Sequence, residues 1–534
     1  MATAKHPVFV RDATGIVREI SPLQAFITTV AVTNIGFGIA TTYLPALFVW
    51  PGADLPLAFL LALPFCLLHS AMYSMMAISM PRSGGDYVWG SRILHPSIGS
   101  SLAMTNVIFN SIFMGFFANT FVTYGLYSSF VTFGAITNNS GLINASISVF
   151  TNPFWITVIG TVLIVYVALI MIGGVRFYLK QQMVYWILGM LGTLIAMVLL
   201  FQTTPAQFSA VFDNVLGHYI TYEQVIKSAQ SSGFTWAPSM TATVGAVTLA
   251  WLANNGYQYS GYFSGELKRV DRSMFVSTMG NNLFSALLYG LFALALVSGV
   301  GEGWLNSLSY LSNAQPSAYT IPVPPNPYFF ASLLTNNLAI ATLINVGLLA
   351  WAIVIIPSNW LATTRIVLAM GFDRLLPAKF ADVSEKYHTP VKSIIFVAAV
   401  TWIGMVATNY YSAASANLNY TVVYTLILAV VGLAGAVFPY LRKSIYERSP
   451  IARYKVGGIP TITILGICNF LFFISISVAA GLNPFVGGPT TPAAVAAAAI
   501  VFVFSGLLYY MAKAYFNRKA GLDISLNFKE IPPE

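Results

Sequence analysis

The sequence predicts an all-α polytopic membrane protein with about twelve transmembrane helices. Three observations carry that prediction. The 534 residues are 57% apolar and only 8% charged, against about 25% charged residues in an average soluble domain. The apolar runs are continuous and about 20 residues or longer, the length a helix needs to cross a bilayer. Strands of a membrane barrel alternate apolar and polar residues instead. Finally, the basic residues fall almost entirely on one side of the topology these runs define.

Taken in order, the runs cover about 22–50, 55–80, 100–133, 153–173, 181–202, 241–264, 274–300, 328–370, 391–408, 419–441, 461–482 and 493–515. With the N-terminus in the cytoplasm, 24 of the 25 Lys and Arg residues lie in inner segments, and only Lys227 lies outside. Basic residues are retained on the cytoplasmic side, so both termini are expected there, in the cell membrane. The net charge of +9 is therefore a topology signal and no sign of a nucleic-acid partner. The first 20 residues are polar and lack the apolar core of a signal peptide. Sequons at Asn138, Asn144 and Asn419 fall in predicted outer loops. The outer loops at about 203–240 and 301–327 carry few charges, and no soluble domain is expected. Cys66 and Cys468 lie within predicted spans and read as packing residues, not a disulfide.

Two runs are interrupted. The first carries Thr33-Asn34-Ile35-Gly36-Phe37-Gly38-Ile39 and the sixth carries Asn254-Asn255-Gly256-Tyr257. Glycine weakens a helix by about 1 kcal/mol relative to alanine. In hydrocarbon a break survives only where it lines a protein-enclosed or watery cavity. Paired breaks in two halves point to a transporter's substrate site. Amides around Phe37, Gly38 and Ile39 would face a carboxylate. Freed carbonyls near Asn34 and around Trp251, Ala253 and Asn254 would face an ammonium. The candidate substrate-binding set is thus Asn34, Gly36, Phe37, Gly38, Ile39, Trp251, Ala253, Asn254, Asn255, Gly256 and Tyr257. The alternative for the glycines is close helix packing. The alternative for the asparagines is interhelical hydrogen bonding, and Trp251 and Tyr257 either gate the site or pack. Phe37, Tyr257 and Trp251 lean toward a neutral, apolar or aromatic ligand.

No Asp or Glu lies in the interior of any run. Glu266 and Asp86 belong to inner segments and read as gating or ion-pairing residues. His69 lies well inside the second run and is a coupling candidate, because an intramembrane ionisable group is a functional hypothesis by default. Its alternative is a neutral histidine sharing one hydrogen bond. The five histidines and scattered carboxylates do not form the cluster an intramembrane enzyme needs. No ring of like charge or repeated filter suggests a channel. No cofactor or metal is expected.

Three inner segments carry a resemblance. They read Pro81-Arg82-Ser83-Gly84-Gly85-Asp86-Tyr87, Gly265-Glu266-Leu267-Lys268-Arg269, and Phe372-Asp373-Arg374-Leu375-Leu376-Pro377. Over about 20–515 the chain resembles the amino acid–polyamine–organocation superfamily of permeases, in its amino acid permease branch. The resemblance implies a LeuT-type fold, a 5+5 inverted repeat with helices one and six broken. It divides the chain into a cytoplasmic segment 1–20, a ten-helix core 21–442, two peripheral helices with their preceding loop in 443–515, and a cytoplasmic tail 516–534. Departures are visible. Phe37 stands where the family has a small residue, and Gly256-Tyr257-Gln258 replaces a usual Gly-Phe-Glu. Proton-coupled relatives carry a lysine in helix five, where this chain reads Gln181-Gln182-Met183. Sodium-coupled ones carry hydroxyls midway along helix eight, roughly at Ala350-Trp351-Ala352-Ile353 here. The expectation is a secondary active transporter of amino acids or related amines, coupled first of all to H+. Exchange, facilitated transport and a non-transporting sensor on the same fold are its alternatives.

Overall fold

A computed structural model describes residues 18–411, 420–482 and 492–529. Most of the predicted N-terminal segment, the sequon at Asn419 and the end of the tail lie outside these. The first predicted run forms two helices. Ser21 and Gln24 cap each other's backbone N–H groups at 3.3 and 2.9 Å, and Pro22 opens α1, Pro22–Thr33. This reciprocal cap with proline at the first position is a strong helix start. Asn34 then takes the left-handed conformation, φ 52° and ψ 65°, which a non-glycine residue other than Asn or Asp seldom adopts. Its side chain accepts the Phe37 N–H at 3.4 Å and starts α2, Ile35–Val49.

The chain continues through α3 (Leu55–Ser79), the short α4 (Asp86–Trp89) and α5 (Pro96–Ile136, widened at Phe121–Leu126). Next come α6 (Pro153–Ile172), α7 (Val175–Phe201) and α8 (Met240–Ala253). Beyond α8 the backbone turns sharply at Gly256, φ 137°, and descends in tight turns over Tyr257–Tyr262 and Ser264–Glu266. The rest is α9 (Val270–Val300), α10 (Leu338–Phe372), α11 (Val391–Tyr410), α12 (Tyr420–Leu441), α13 (Thr461–Leu482) and α14 (Pro492–Lys519). Among the described residues, ten helices are long and apolar enough to cross a membrane. The other two predicted runs correspond to α8, cut short at Ala253, and to α14.

Two expectations are corrected. The run 328–370 is split, because Asn337 accepts the N–H of Ala339 at 2.9 Å and starts α10 afresh after a separate helix, Pro327–Leu333. The loops expected at 203–240 and 301–327 contain helices Pro205–Leu216, Tyr222–Ser231 and Glu302–Ala314. They are held by Trp304, stacked on Tyr222 at 5.3 Å and flanked edge-on by Phe208 and Phe212.

The bundle is apolar within and without. Val162, Leu169, Leu287 and Leu471 are more than half exposed on its flank, the mark of a helical bundle with lipid around it. It is a multi-pass membrane protein. Helix α3 packs on α9, α5 on α10 and α6 on α11, while α1 meets the 257–262 turn and α2 meets α8. One end of the bundle gathers the basic residues. There Ile20 pairs alongside Leu267 and Ser83 pairs with Phe263, tying the N-terminal segment and the loop after α3 to the chain leaving the second break.

Candidate substrate site

Both breaks fall at asparagines. In the first, Gly36 and Gly38 sit inside α2, not at the interruption. Their lack of a side chain is spatial: a Cβ at Gly36 would lie 2.1 Å from the Trp351 ring, and one at Gly38 would lie 2.0 Å from the Tyr289 hydroxyl. The expected free amides shift accordingly. Phe37 N–H is taken by the Asn34 side chain, and Gly38 N–H by the Asn34 carbonyl at 2.8 Å. As the first residues of α2, Ile35 and Gly36 are the ones whose N–H groups have no partner within the helix. At the second break a Cβ on Gly256 would lie 2.4 Å from the Thr33 nitrogen. The two interruptions therefore touch backbone to backbone.

Between them lies a cavity of about 230 Å³. Its polar wall includes Thr33, Asn34, Asn255, Tyr259 and Asn359, and its apolar wall includes Phe113, Phe116, Phe117, Leu249, Leu252 and Ile355. Of the sequence-predicted residues, Asn34, Gly38, Ala253 and Asn255 line it. Gly36, Phe37, Ile39, Asn254 and Gly256 lie behind the wall. Trp251 and Tyr257 face the other way. The Trp251 indole donates to the Tyr257 hydroxyl at 3.3 Å, and that hydroxyl lies 2.7 Å from His69 Nδ1. His69 is itself boxed edge-on by Tyr73, Tyr257 and Phe473, so this trio is a packed aromatic cluster outside the cavity. Asn254 reaches Asn282 at 3.0 Å. The Asn34 side-chain amide nitrogen, buried in the cavity wall, has no partner among the described residues.

Sequence reasoning missed Tyr259, Tyr289 and Asn359. The signal for Asn359 was available: it is a lone amide in the apolar run 350–362. Tyr259 and Tyr289 gave none, because tyrosine in this chain is common (28 residues).

At the basic end, two buried ion pairs cross the bundle. Arg365 of α10 grips Glu266 through two N–H groups at 2.6 and 2.9 Å. Arg92 pairs with Asp373 at 2.7 and 2.8 Å, and Tyr87 donates to the same carboxylate at 2.5 Å. Glu266 is thus an ion-pair residue in this structure. Asp86 is not: it accepts from Tyr73 at 2.8 Å and from Tyr262. At the opposite end a second cavity of about 410 Å³, bounded by Tyr124, Tyr127 and Pro322–Pro325, shares Pro45 with the central one.

A family model described as Amino acid permease matches residues 20–507. The chain belongs to the amino acid permease family. No individual curated protein matches the permease, so the assignment rests on the family as a whole. It places the permease in the amino acid–polyamine–organocation superfamily and makes it a membrane transporter of small molecules. Between α7 and α10, amides and hydroxyls meet. The Gln182 amide donates to Tyr178 at 2.7 Å and Ser358 at 3.0 Å, and accepts from Thr28 at 3.0 Å. The Ser358 hydroxyl also donates to the Val354 carbonyl at 2.6 Å.

Proposed function

We propose that the permease is a secondary active transporter that takes up amino acids across the cytoplasmic membrane by alternating access, with H+ as the coupling ion. The observation that carries this reading is the cavity at the junction of the two helix breaks. A helix start offers its first amides and a positive dipole end to an anion. At this one, the unpartnered Asn34 amide in the cavity wall suits an α-carboxylate. Each carbonyl around the breaks has two lone pairs, which suit an α-ammonium. The aromatic and aliphatic wall suits a neutral side chain, apolar or aromatic. Among the described residues no carboxylate lines the cavity, which disfavours a polyamine.

Alternating access is supported by the asymmetry of the two ends. Two ion pairs cross the basic end, and a second cavity approaches from the other. Twelve crossings with both termini in the cytoplasm follow if α8 with its descending turns, and α14, are counted as spans. Each of the first four spans packs on the span five places later, which supports the inverted-repeat reading. The core then runs over 21–442 and α13 and α14 are peripheral. Proton coupling over sodium is favoured by the Gln182–Ser358 cluster, whose hydroxyls are already engaged by protein groups.

Two measurements on one preparation test the reading: ligand-induced thermal stabilisation, and flux of the same labelled amino acids in sodium-free proteoliposomes. Stabilisation with flux by neutral amino acids supports transport. Stabilisation without flux, with and without sodium, makes the protein a sensor and overturns it.

A further inference from the structure

A chain of side-chain hydrogen bonds leads from the cavity to Asp86. Asn359, in the cavity wall, donates to the Tyr259 hydroxyl at 3.0 Å. Tyr259 donates to Asn110 Oδ1 at 2.8 Å. Asn110 donates to Asn106 Oδ1, one helical turn away on α5. Asn106 donates to Tyr262 at 3.0 Å, and Tyr262 donates to Asp86 Oδ2. Every link is buried, and every donor points toward the carboxylate.

That polarity has one origin. An ionised carboxylate only accepts, whereas tyrosine and asparagine both donate and accept. Asp86 therefore fixes the Tyr262 proton, which fixes the Asn106 amide, and so on up to the cavity. The local sequence is built to deliver this carboxylate. Gly84, φ 109°, donates its N–H to the Tyr262 carbonyl at 2.8 Å. A Cβ on Gly85, φ 45°, would lie 2.8 Å from the Tyr262 ring. Only glycines bring the loop this close, and Asp86 is the next residue.

No cation pairs with Asp86 among the described residues. Around it stand Tyr73 on α3, Tyr262 on the descending turn and Tyr424 on α12. Arg365 of α10 and Asp373, at its C-terminal cap, are each held in the ion pairs with Glu266 and Arg92. Arg442, just past α12, donates to the Arg92 carbonyl. Arg82, in the same loop, donates to the Pro81 carbonyl at 3.0 Å.

We propose that Asp86 binds the coupling proton and that the Asn359–Tyr259–Asn110–Asn106–Tyr262 chain reports its protonation to the substrate cavity. The proposal rests on the transport reading above. Protonation forms one O–H bond on a carboxylate oxygen and breaks none in the protein; the proton comes from water and returns to it. When the proton sits on Oδ2, the oxygen that accepts from Tyr262, the new O–H is a donor where the chain needs an acceptor. The Tyr262 hydroxyl then accepts from it and turns its own O–H to another acceptor, and the donors behind it lose their common direction. Buried chains of this kind polarise one another, so the change is felt at the far end. Burial pushes the Asp86 carboxyl up to about 6, within the range an imposed pH gradient spans. His69 lies off this chain.

The test uses full-length permease in sodium-free proteoliposomes, reading amino acid uptake and lumenal pH together. Wild type is expected to move protons inward with substrate, with an apparent affinity that weakens as pH rises from about 5 to about 8, through the Asp86 value. Asp86→Asn is fixed in the neutral form, so its affinity becomes independent of pH and gradient-driven accumulation falls about tenfold or more. Asp86→Glu restores the pH dependence. Tyr262→Phe keeps the carboxyl but cuts the chain, and is expected to uncouple proton flux from uptake; it also serves if Asp86→Asn does not fold. An Asp86→Asn or Tyr262→Phe protein that retains the wild-type pH dependence and proton flux overturns the proposal. So does His69→Gln abolishing both, which moves the proton site to the imidazole. Wild-type transport with no proton movement overturns the proposal and the choice of H+ as coupling ion, and leaves amino acid transport itself standing. Wild type that neither binds nor moves an amino acid removes that reading as well.

Discussion

The Tyr289 hydroxyl lies 3.0 Å from the Ala253 carbonyl oxygen. The same hydroxyl reaches the Thr33 carbonyl at 3.2 Å and that of Asn34 at 3.4 Å. One side chain of α9 therefore bridges the carbonyl ends of both broken helices, and holds them at the distance that leaves a cavity between them. Tyr289→Phe keeps the ring and removes the bridge. Leaving a buried acceptor unmet costs about 1–3 kcal/mol, so the variant is expected to melt earlier and to bind substrate more weakly. Thermal unfolding with and without substrate checks both.

Gly38→Ala attacks the same bridge from the other side. Its methyl would stand 2.0 Å from the Tyr289 hydroxyl, too close for either group to stay. Overpacking of this kind costs about 1–3 kcal/mol. Uptake is expected to fall steeply while the protein still reaches the membrane, and normal uptake would show that the close approach has no functional part.

The Glu266–Arg365 pair is fully buried, with side chains 2% and 0% exposed. Removing one member leaves an uncompensated buried charge, at a cost of about 3–5 kcal/mol. Glu266→Gln and Arg365→Met are each expected to destabilise strongly. The double variant is expected to recover much of the loss, since a buried pair is often replaceable by packed neutral groups. A double-mutant cycle in thermal stability reads this coupling directly.

Asp86 also sets a pH dependence of stability. Its carboxyl rises from the ordinary 3.8 to about 6 in the fold, so the folded protein holds the proton more tightly than the unfolded chain. The stabilisation from that proton is fully present below about 4 and is lost as pH rises through about 6, a change of about 3 kcal/mol. Asp86→Asn carries no such loss. The stability of the variant relative to wild type is expected to increase from acid to neutral pH, measured by denaturation at several pH values.

Much of the fold was legible because lipid imposes it. Long apolar runs, and charge confined to the segments between them, are demanded by the solvent, so the helices are readable from composition alone. The asparagine-centred breaks at Asn34 and Asn254 were legible for the same reason: polar, weakly helical residues in hydrocarbon need an explanation. Their detailed roles were not. Gly36 and Gly38 looked like the break, yet they serve close packing against Trp351 and Tyr289, because the left-handed turn falls on Asn34. Trp251 and Tyr257 looked like pocket walls, but the facing of a side chain depends on partners distant in sequence, here His69 and Phe473. The split at Asn337 was hidden because a single capping side chain interrupts an otherwise apolar run. The chain joining Asn359 to Asp86 draws on four separate segments, and no local pattern announces it.

The most direct test of the transport claim is accumulation of labelled neutral amino acids by sodium-free proteoliposomes under an imposed inside-alkaline pH gradient. The account predicts accumulation of one class of neutral, apolar or aromatic amino acid above equilibrium, collapsing when the gradient is dissipated. Absence of flux for every amino acid, with sodium as well as without it, would contradict it.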